Sequence, residues 1–284
     1  VGAGDLSQRV DMKLNDEIGE LGGAFNVMVE NLAEAENKIQ QKNKTLQKQN
    51  EIINQKNKDI TDSITYAQKI QEAILPTDEH LKSLFPESFV LFKPKDIVSG
   101  DFYWASEKNG KYLIAVADCT GHGVPGAFMS MIGNSLLNEI VNEKGILCPG
   151  EILQALKEGV IKSLKQTGGA GQQKDGMDIG FLTVDYNNNK IEYAGAYNPL
   201  YQIRDGELIE TKADRMPIGI YEDDEGKVFT NYALELKKGD SFYIFTDGLQ
   251  DQFGGPKDKK FRAKRFKQVL LDMQHMSMEE QKIH

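Results

Sequence analysis

Apolar residues return at every seventh position from Ile18 through Phe25, Leu32, Ile39, Leu46, Ile53, Ile60 and Ala67 to Ile74. This is the spacing of one seam of a left-handed coiled coil. With these residues at d, the a positions hold Val29, Asn43, Asn50, Asn57 and Ile64. The middle of the seam therefore sets Asn beside an aliphatic residue in three successive heptads. Asn at a costs stability, fixes register and disfavours wrong oligomers. The pattern predicts a weak parallel dimer, with a single solvated helix as the other reading of so Gln-, Asn- and Lys-rich a stretch. Pro76 ends the helix.

From Phe89 onward the period changes to short apolar runs between turns, which marks a second domain. Strands are predicted at Phe89–Phe92, Phe102–Ala105, Tyr112–Ala117, Ile179–Asp185, Lys190–Ala196, Leu200–Arg204, Val228–Leu236 and Ser241–Thr246. One helix is expected to follow Val124-Pro125-Gly126 and run to about Glu143; a second starts near Gly150, with Leu153, Leu156, Val160 and Leu164 on one face. Asn187-Asn188-Asn189 and Asp205-Gly206 carry hairpin chemistry. Strands in hairpins with grouped helices argue for an α+β sandwich over a doubly wound parallel sheet.

The 284 residues, 39% hydrophobic and 27% charged, suffice for one well-buried domain and an extended element. A formal charge of -9 without any basic block disfavours nucleic acid and anionic lipid as partners. Cys119 and Cys148 are the only cysteines, so neither a disulfide framework nor zinc-type spacing is present. No apolar run approaches the roughly 18 residues that span a bilayer. The start at Val1, directly on a Gly-Asp-Leu turn and a helical pattern, reads as a fragment of something longer.

The candidate chemistry lies at strand ends. Asp118 closes the apolar run Tyr112–Ala117 and opens the turn Cys119-Thr-Gly-His-Gly123, and Asp247 follows Ser241–Thr246 in the same way. Asp101, in Val98-Ser-Gly-Asp-Phe-Tyr-Trp104, is a third. Each alone reads as well as a turn-forming Asp as it does a ligand. Their recurrence at apolar strand boundaries beside Gly or a tight turn suits a hard divalent cation with oxygen ligands.

Ala117-Asp-Cys-Thr-Gly-His-Gly123 with the following Pro-Gly-Ala, Ser99-Gly-Asp-Phe-Tyr103 and Thr246-Asp-Gly-Leu249 closely resemble the PPM-type metal-dependent serine/threonine phosphatases, and within them the bacterial SpoIIE/RsbU branch. Ala67-Gln-Lys-Ile-Gln-Glu-Ala-Ile-Leu-Pro76 resembles the helix joining regulator to phosphatase in that branch, which makes Gln68, Gln71, Leu75 and Pro76 a switch segment. The resemblance implies an αββα sandwich holding two Mn²⁺ or Mg²⁺ ions at one edge. Carried over by position, Asp118 would bridge the metals beside the Cys119 backbone carbonyl, Asp101 would serve one ion and Asp247 the other. Two such ions about 3.5 to 4 Å apart can activate a shared water and clamp phosphoryl oxygens. Gly121 and Gly123 would let the backbone turn beneath them.

His122 reads either as a general acid or as a residue that holds its turn by hydrogen bonds. Asp175 and Asp178, in Lys174-Asp-Gly-Met-Asp-Ile179, would touch a third metal or only order the turn. Members of this branch end on one further strand opened by an Asp pair that completes the metal shell, whereas this sequence stops at Glu279-Glu-Gln-Lys-Ile-His284. It therefore reads as a truncated copy of an active enzyme or as a scaffold that has lost metal binding.

Gly4-Asp5-Leu6, Asn15-Asp16-Glu17-Ile18-Gly19-Glu20-Leu21 and Phe25-Asn26-Val27-Met28 resemble the end of a HAMP domain. Residues 1–31 are thus expected to be HAMP-like, 32–76 a coiled-coil signalling helix, and 77–284 the phosphatase. The resemblance implies the cytoplasmic portion of a bacterial protein that meets the membrane only through missing N-terminal segments. It also implies a homodimer, and a phosphorylated STAS-type anti-anti-sigma antagonist as substrate. The competing expectation is a catalytically inactive dimeric scaffold that binds a regulatory partner.

Overall fold

The computed structural model describes residues 4–11, 15–167, 174–221, 226–254, 256 and 258–284. They fall into two units, Val1–Ser63 and Ile64–His284. In the first, residues 4–11 precede helix α1 (Glu17–Ile74), whose residues from Ile64 onward belong to the second unit. Asn26 binds that segment in both directions, Oδ1 accepting from Val10 N–H and Nδ2 donating to the Val10 carbonyl, each at 2.9 Å. Val29 is fully buried, but Leu32, Ile39, Leu46, Ile53 and Ile60 are exposed, so one chain leaves the predicted seam uncovered.

The second unit contains α2 (Asp78–Leu84), β1 (Phe102–Lys108), β2 (Lys111–Cys119), α3 (Gly123–Leu137), a π-helical turn (Asn138–Glu143) and α4 (Pro149–Ser163). There follow β3 (Met177–Asp185), β4 (Lys190–Ala196), β5 (Leu200–Arg204), β6 (Glu207–Thr211), β7 (Tyr232–Glu235) and β8 (Ser241–Tyr243). The short pair β9 (Phe253–Gly254) and β10 (Lys259–Lys260) leads to α5 (Arg262–Asp272) and α6 (Met278–Ile283). One antiparallel sheet has the order β1-β2-β3-β4-β7, and another has the order β6-β5-β8.

Alternation along β2 shows how the layers form. Leu113, Ala115, Ala117 and Cys119 face a core shared with Leu137 of α3 and Ile152, Leu153, Leu156 and Val160 of α4. Tyr112 and Ile114 face the other way, with Leu182, Val184, Ile191 and Tyr193, onto Leu200 and Phe242 of the second sheet and Ile244 just after it. On the far side of that sheet, Tyr201 and Ile203 meet Phe266, Leu270 and Met273 of the α5 region. Helix, sheet, sheet, helix is the expected αββα sandwich. Each large apolar side chain so buried contributes on the order of 1.5–3 kcal/mol.

Several elements differ from expectation. Phe89–Phe92 forms no strand: Val90 packs against the cluster of Leu81, Leu84 and Ala105 and Phe92 meets the Tyr103 ring, but their backbone joins no ladder. Val228–Leu236 shortens to β7 because Thr230 gives its N–H and hydroxyl to the Asp214 carboxylate, at 2.7 and 3.0 Å, in place of a ladder. The strand expected at Ser241–Thr246 stops at Tyr243, since among the described residues β8 pairs only with β5. Strand β6 escaped notice because its Glu-Leu-Ile-Glu-Thr is mostly exposed. It is joined to β5 by Asp205 and Gly206, both at positive φ (51° and 80°), the geometry of a type I′ hairpin.

Candidate functional site: a carboxylate cluster at the sheet edge

The register between β2 and β3 sets Asp118 opposite Asp178. The long apolar strands are held by core packing, so both carboxylates are delivered to the same end of the sheet. Asp101 arrives just before β1, next to the paired end of β2, where Phe102 faces Ala117. Asp247 arrives on the turn after β8.

The four acids interact. Burial first, then the charge of Asp101 and a hydrogen bond with it, then Asp247 and Asp178, push Asp118 up to about 8. Burial and then Asp247 push Asp178 up to about 6. Asp247 is raised by desolvation and then by Asp251, against a lowering hydrogen bond from Asp118. The Cys119 thiol, almost fully buried, is driven well above its ordinary value by burial and then by Asp118 and Asp101. Thr246 Oγ1 donates to Asp101 Oδ2 at 2.9 Å and holds that carboxylate in place. No group of three or more His, Cys, Asp or Glu among the described residues is already arranged to hold a metal ion.

Backbone packing brings the acid-bearing segments together. A Cβ on Gly100 would stand 2.7 Å from the Gly121 carbonyl oxygen and 3.1 Å from that of Cys119. One on Gly126 would stand 2.6 Å from the Gly121 oxygen and 2.9 Å from Gly100 Cα. Gly121 and Gly123 adopt the positive φ (83° and 63°) that their turn requires.

The remaining candidates are placed as follows. Asp178 joins the cluster. Asp175 accepts from Thr120 Oγ1 at 3.2 Å, and Thr120 also pairs with the Gly176 backbone, so Asp175 ties the two turns to each other. His122 is exposed and its Nδ1 lies 2.8 Å from Asp96 Oδ2. In the switch segment Gln68 donates to Glu72 along its own helix, Gln71 and Leu75 are buried, and the Pro76 carbonyl accepts from Tyr103 at 3.1 Å. Sequence reasoning missed Thr246, Ser99 and Asp96; small polar residues beside an acid carry no periodic signal.

Residues 108–283 match the profile of the family described as Stage II sporulation protein E (SpoIIE). The chain belongs to the SpoIIE family. Residues 1–34 match the HAMP domain. Over 199 residues it is 27% identical to the phosphoserine phosphatase RsbU of Bacillus subtilis, covering 68% of this chain and 55% of RsbU. It thus spans about half the length of that curated relative. The SiaA PP2C domain of Pseudomonas aeruginosa superimposes with a TM-score of 0.70 at 36% identity, covering 79% of this chain and 87% of that one. The RsbU and RsbW domains of Rv1364c from Mycobacterium tuberculosis share the fold, with a TM-score of 0.51 at 21% identity over 67% of this chain and 50% of that one. The SpoIIE assignment and the SiaA likeness agree with the PP2C-type αββα architecture seen here.

Proposed function

We propose that this SpoIIE-family chain is a metal-dependent phosphatase that hydrolyses phosphoserine or phosphothreonine on a regulatory protein. The observation that carries the reading is the convergence of Asp101, Asp118, Asp178 and Asp247 at one sheet edge, where burial and then the neighbouring carboxylates push Asp118 up to about 8. Like charges gathered at a desolvated sheet edge are costly unless a cation neutralises them. The donors are all oxygens, the set that Mn²⁺ and Mg²⁺ take. These residues would supply the oxygen donors for such ions, Asp118 beside the Cys119 carbonyl, with Asp101 and Asp247 on either side. When bound, the ions would lower the pKa of a coordinated water and offset phosphoryl charge.

The chain's own part is to hold these oxygens in place. Thr246 orients Asp101, the glycine contacts set the distance between the Asp101 and Asp118 segments, and Asp175 with Thr120 fixes the neighbouring turn. His122, bound to Asp96, steadies the turn after Cys119. The phosphoserine phosphatase activity named for RsbU supports the substrate class. Within that class we favour a STAS-type regulatory protein.

The exposed heptad residues of α1 support a homodimer through the coil. The HAMP match supports a signalling protein anchored at a membrane, although no helix among the described residues is long and apolar enough to cross one. Phosphate release from p-nitrophenyl phosphate and a phosphoserine peptide, measured with Mn²⁺ and with chelator, tests the enzyme. Release should require the metal, and Asp118→Asn should reduce it to background. If no metal-dependent release occurs and Asp118→Asn changes nothing, the reading fails in favour of a non-catalytic scaffold.

A further inference from the structure

Tyr197 stands where β4 runs out, and its backbone is left-handed, at φ 57°. So bulky a residue is seldom found in that conformation. Backbone contacts enforce it. The Gly195 carbonyl accepts from Asp214 N–H and the Asp214 carbonyl accepts from Tyr197 N–H, each at 2.9 Å, while Asn198 N–H closes a γ-turn on the Ala196 carbonyl at 2.7 Å. The Tyr193 hydroxyl donates to the Asn198 carbonyl. The turn carries a second cost, since Asn198 is buried and its Nδ2 has no hydrogen-bond partner among the described residues. Strain held this firmly marks a position kept for function rather than for stability. Here it sets a half-exposed phenol at the end of the sheet.

The segment after β6 follows the same edge. Asp214 is bonded to Gly195 and Tyr197, and Ile218 exchanges hydrogen bonds with Met177 at 2.9 and 3.0 Å, so the chain between them, Arg215 included, runs along the ends of β3 and β4. The pairing of Ile179 with Ala196 brings Tyr197 next to Asp178. The Tyr197 phenol is raised by desolvation, then by its hydrogen bond with Tyr221 and by the charge of Asp178, and is lowered by Arg215. Asp178 itself answers to burial and to Asp247. The order outward from the cluster is therefore Asp178, the tyrosine pair and Arg215. Arg215 is exposed and has no hydrogen bond or ion pair among the described residues. An open guanidinium is a bidentate partner for a carboxylate. Its place beyond the tyrosines suits a group beside the phosphoserine rather than the phosphoryl itself.

We propose that Tyr197, Tyr221 and Arg215 form a specificity rim for the phosphorylated segment of the substrate protein. With the phosphoryl group at the carboxylate cluster, the adjoining chain crosses the tyrosines, and Arg215 pairs with an acidic side chain flanking the phosphoserine. This rests on the phosphatase reading above and adds the class of sequence that the site selects.

The test is Mn²⁺-dependent steady-state kinetics of the full chain on two phosphoserine peptides, one with glutamates on both sides of the phosphoserine and one with glutamines in their place. The wild-type chain should prefer the acidic peptide by about 5-fold, through KM, as fits an ion pair at an exposed rim. The preference should shrink as salt is raised. Arg215→Met should raise KM for the acidic peptide until the two peptides are used equally, and Arg215→Lys should keep part of the preference. Lys190→Met, at the opposite end of β4, should leave the preference unchanged. Tyr197→Gly, which relieves the positive φ, should melt no lower than the wild-type chain and yet raise KM for both peptides.

Equal use of the two peptides by the wild-type chain, or an unchanged preference in Arg215→Met, overturns the inference while phosphate release still stands. A wild-type chain that releases no phosphate from either peptide or from p-nitrophenyl phosphate overturns the phosphatase reading, and this inference with it.

Discussion

Gly126→Ala places a methyl carbon 2.6 Å from the Gly121 carbonyl oxygen, 2.9 Å from Gly100 Cα and 3.1 Å from Gly100 N. Comfortable carbon contacts begin at about 3.5 Å, so the neighbours must retreat by roughly 0.5 to 1 Å. Both neighbours are backbone, and they belong to the segments that carry Asp118 and Asp101. Gly133 on the same helix is the internal control. A Cβ there would meet the Phe102 ring edge at 2.8 Å and the Met177 methyl at 2.9 Å, side-chain ends that can rotate away. Alanine gains about 1 kcal/mol over glycine at both helical positions. Overpacking costs about 1–3 kcal/mol, and for a unit of this size each kcal/mol moves Tm by about 2–4 °C. Gly126→Ala should therefore melt up to about 8 °C lower. It should also lose about 100-fold or more in metal-dependent phosphate release, because misplacing catalytic groups by about 1 Å costs that much. Gly133→Ala should keep most activity. Paired melting curves and Mn²⁺-dependent assays decide; normal activity in Gly126→Ala, or equal damage from Gly133→Ala, refutes the reasoning.

Two further outcomes follow from the acids and the coil. Asp118 and Asp178 have folded pKa values raised to about 8 and about 6 over an ordinary 3.8. Between pH 4 and 8 the metal-free folded chain therefore holds protons that the unfolded chain has released, and its stability falls as pH rises. Melting in chelator across that range should show the decline, and saturating Mn²⁺ should flatten it; a metal-free Tm that rises steadily with pH contradicts the cluster. In the coil, Asn50→Ile replaces a polar a position and should tighten self-association, since buried Asn costs stability for register. Sedimentation equilibrium of residues 30–76 checks this, and a variant that associates no more strongly than the parent argues against the seam.

The hydrophobic pattern by itself determined the long helix to Ile74, strands β2 to β5, a helix after Gly126 that in the structure begins at Gly123, a helix near Gly150, and the α+β sandwich class, while the αββα order was implied by the family resemblance. In the strands and in α3 and α4 the period of the apolar residues coincides with the face that packing buries, so local sequence and tertiary contact carry the same information, whereas the heptad residues of α1 from Leu32 to Ile60 are exposed. Asp101, Asp118 and Asp247 were legible for a related reason: a carboxylate that ends a buried strand interrupts a strong pattern. Elsewhere the backbone's partners mattered more than the pattern. Phe89–Phe92 and Val228–Phe229 are as apolar as strands, yet the first finds no ladder and the second lies beside Thr230, whose donors go to Asp214. Only tertiary structure set Asp178 opposite Asp118, separated the roles of Asp175 and Asp178, and brought Thr246 to Asp101 across 145 residues of chain. Gln71 shows the division most clearly. Its place near the end of the helix is read from the sequence, but its hydrogen bonds to the Ser99 carbonyl and N–H depend on the buried loop at 98–100, and burial of that kind is a property of the assembled fold.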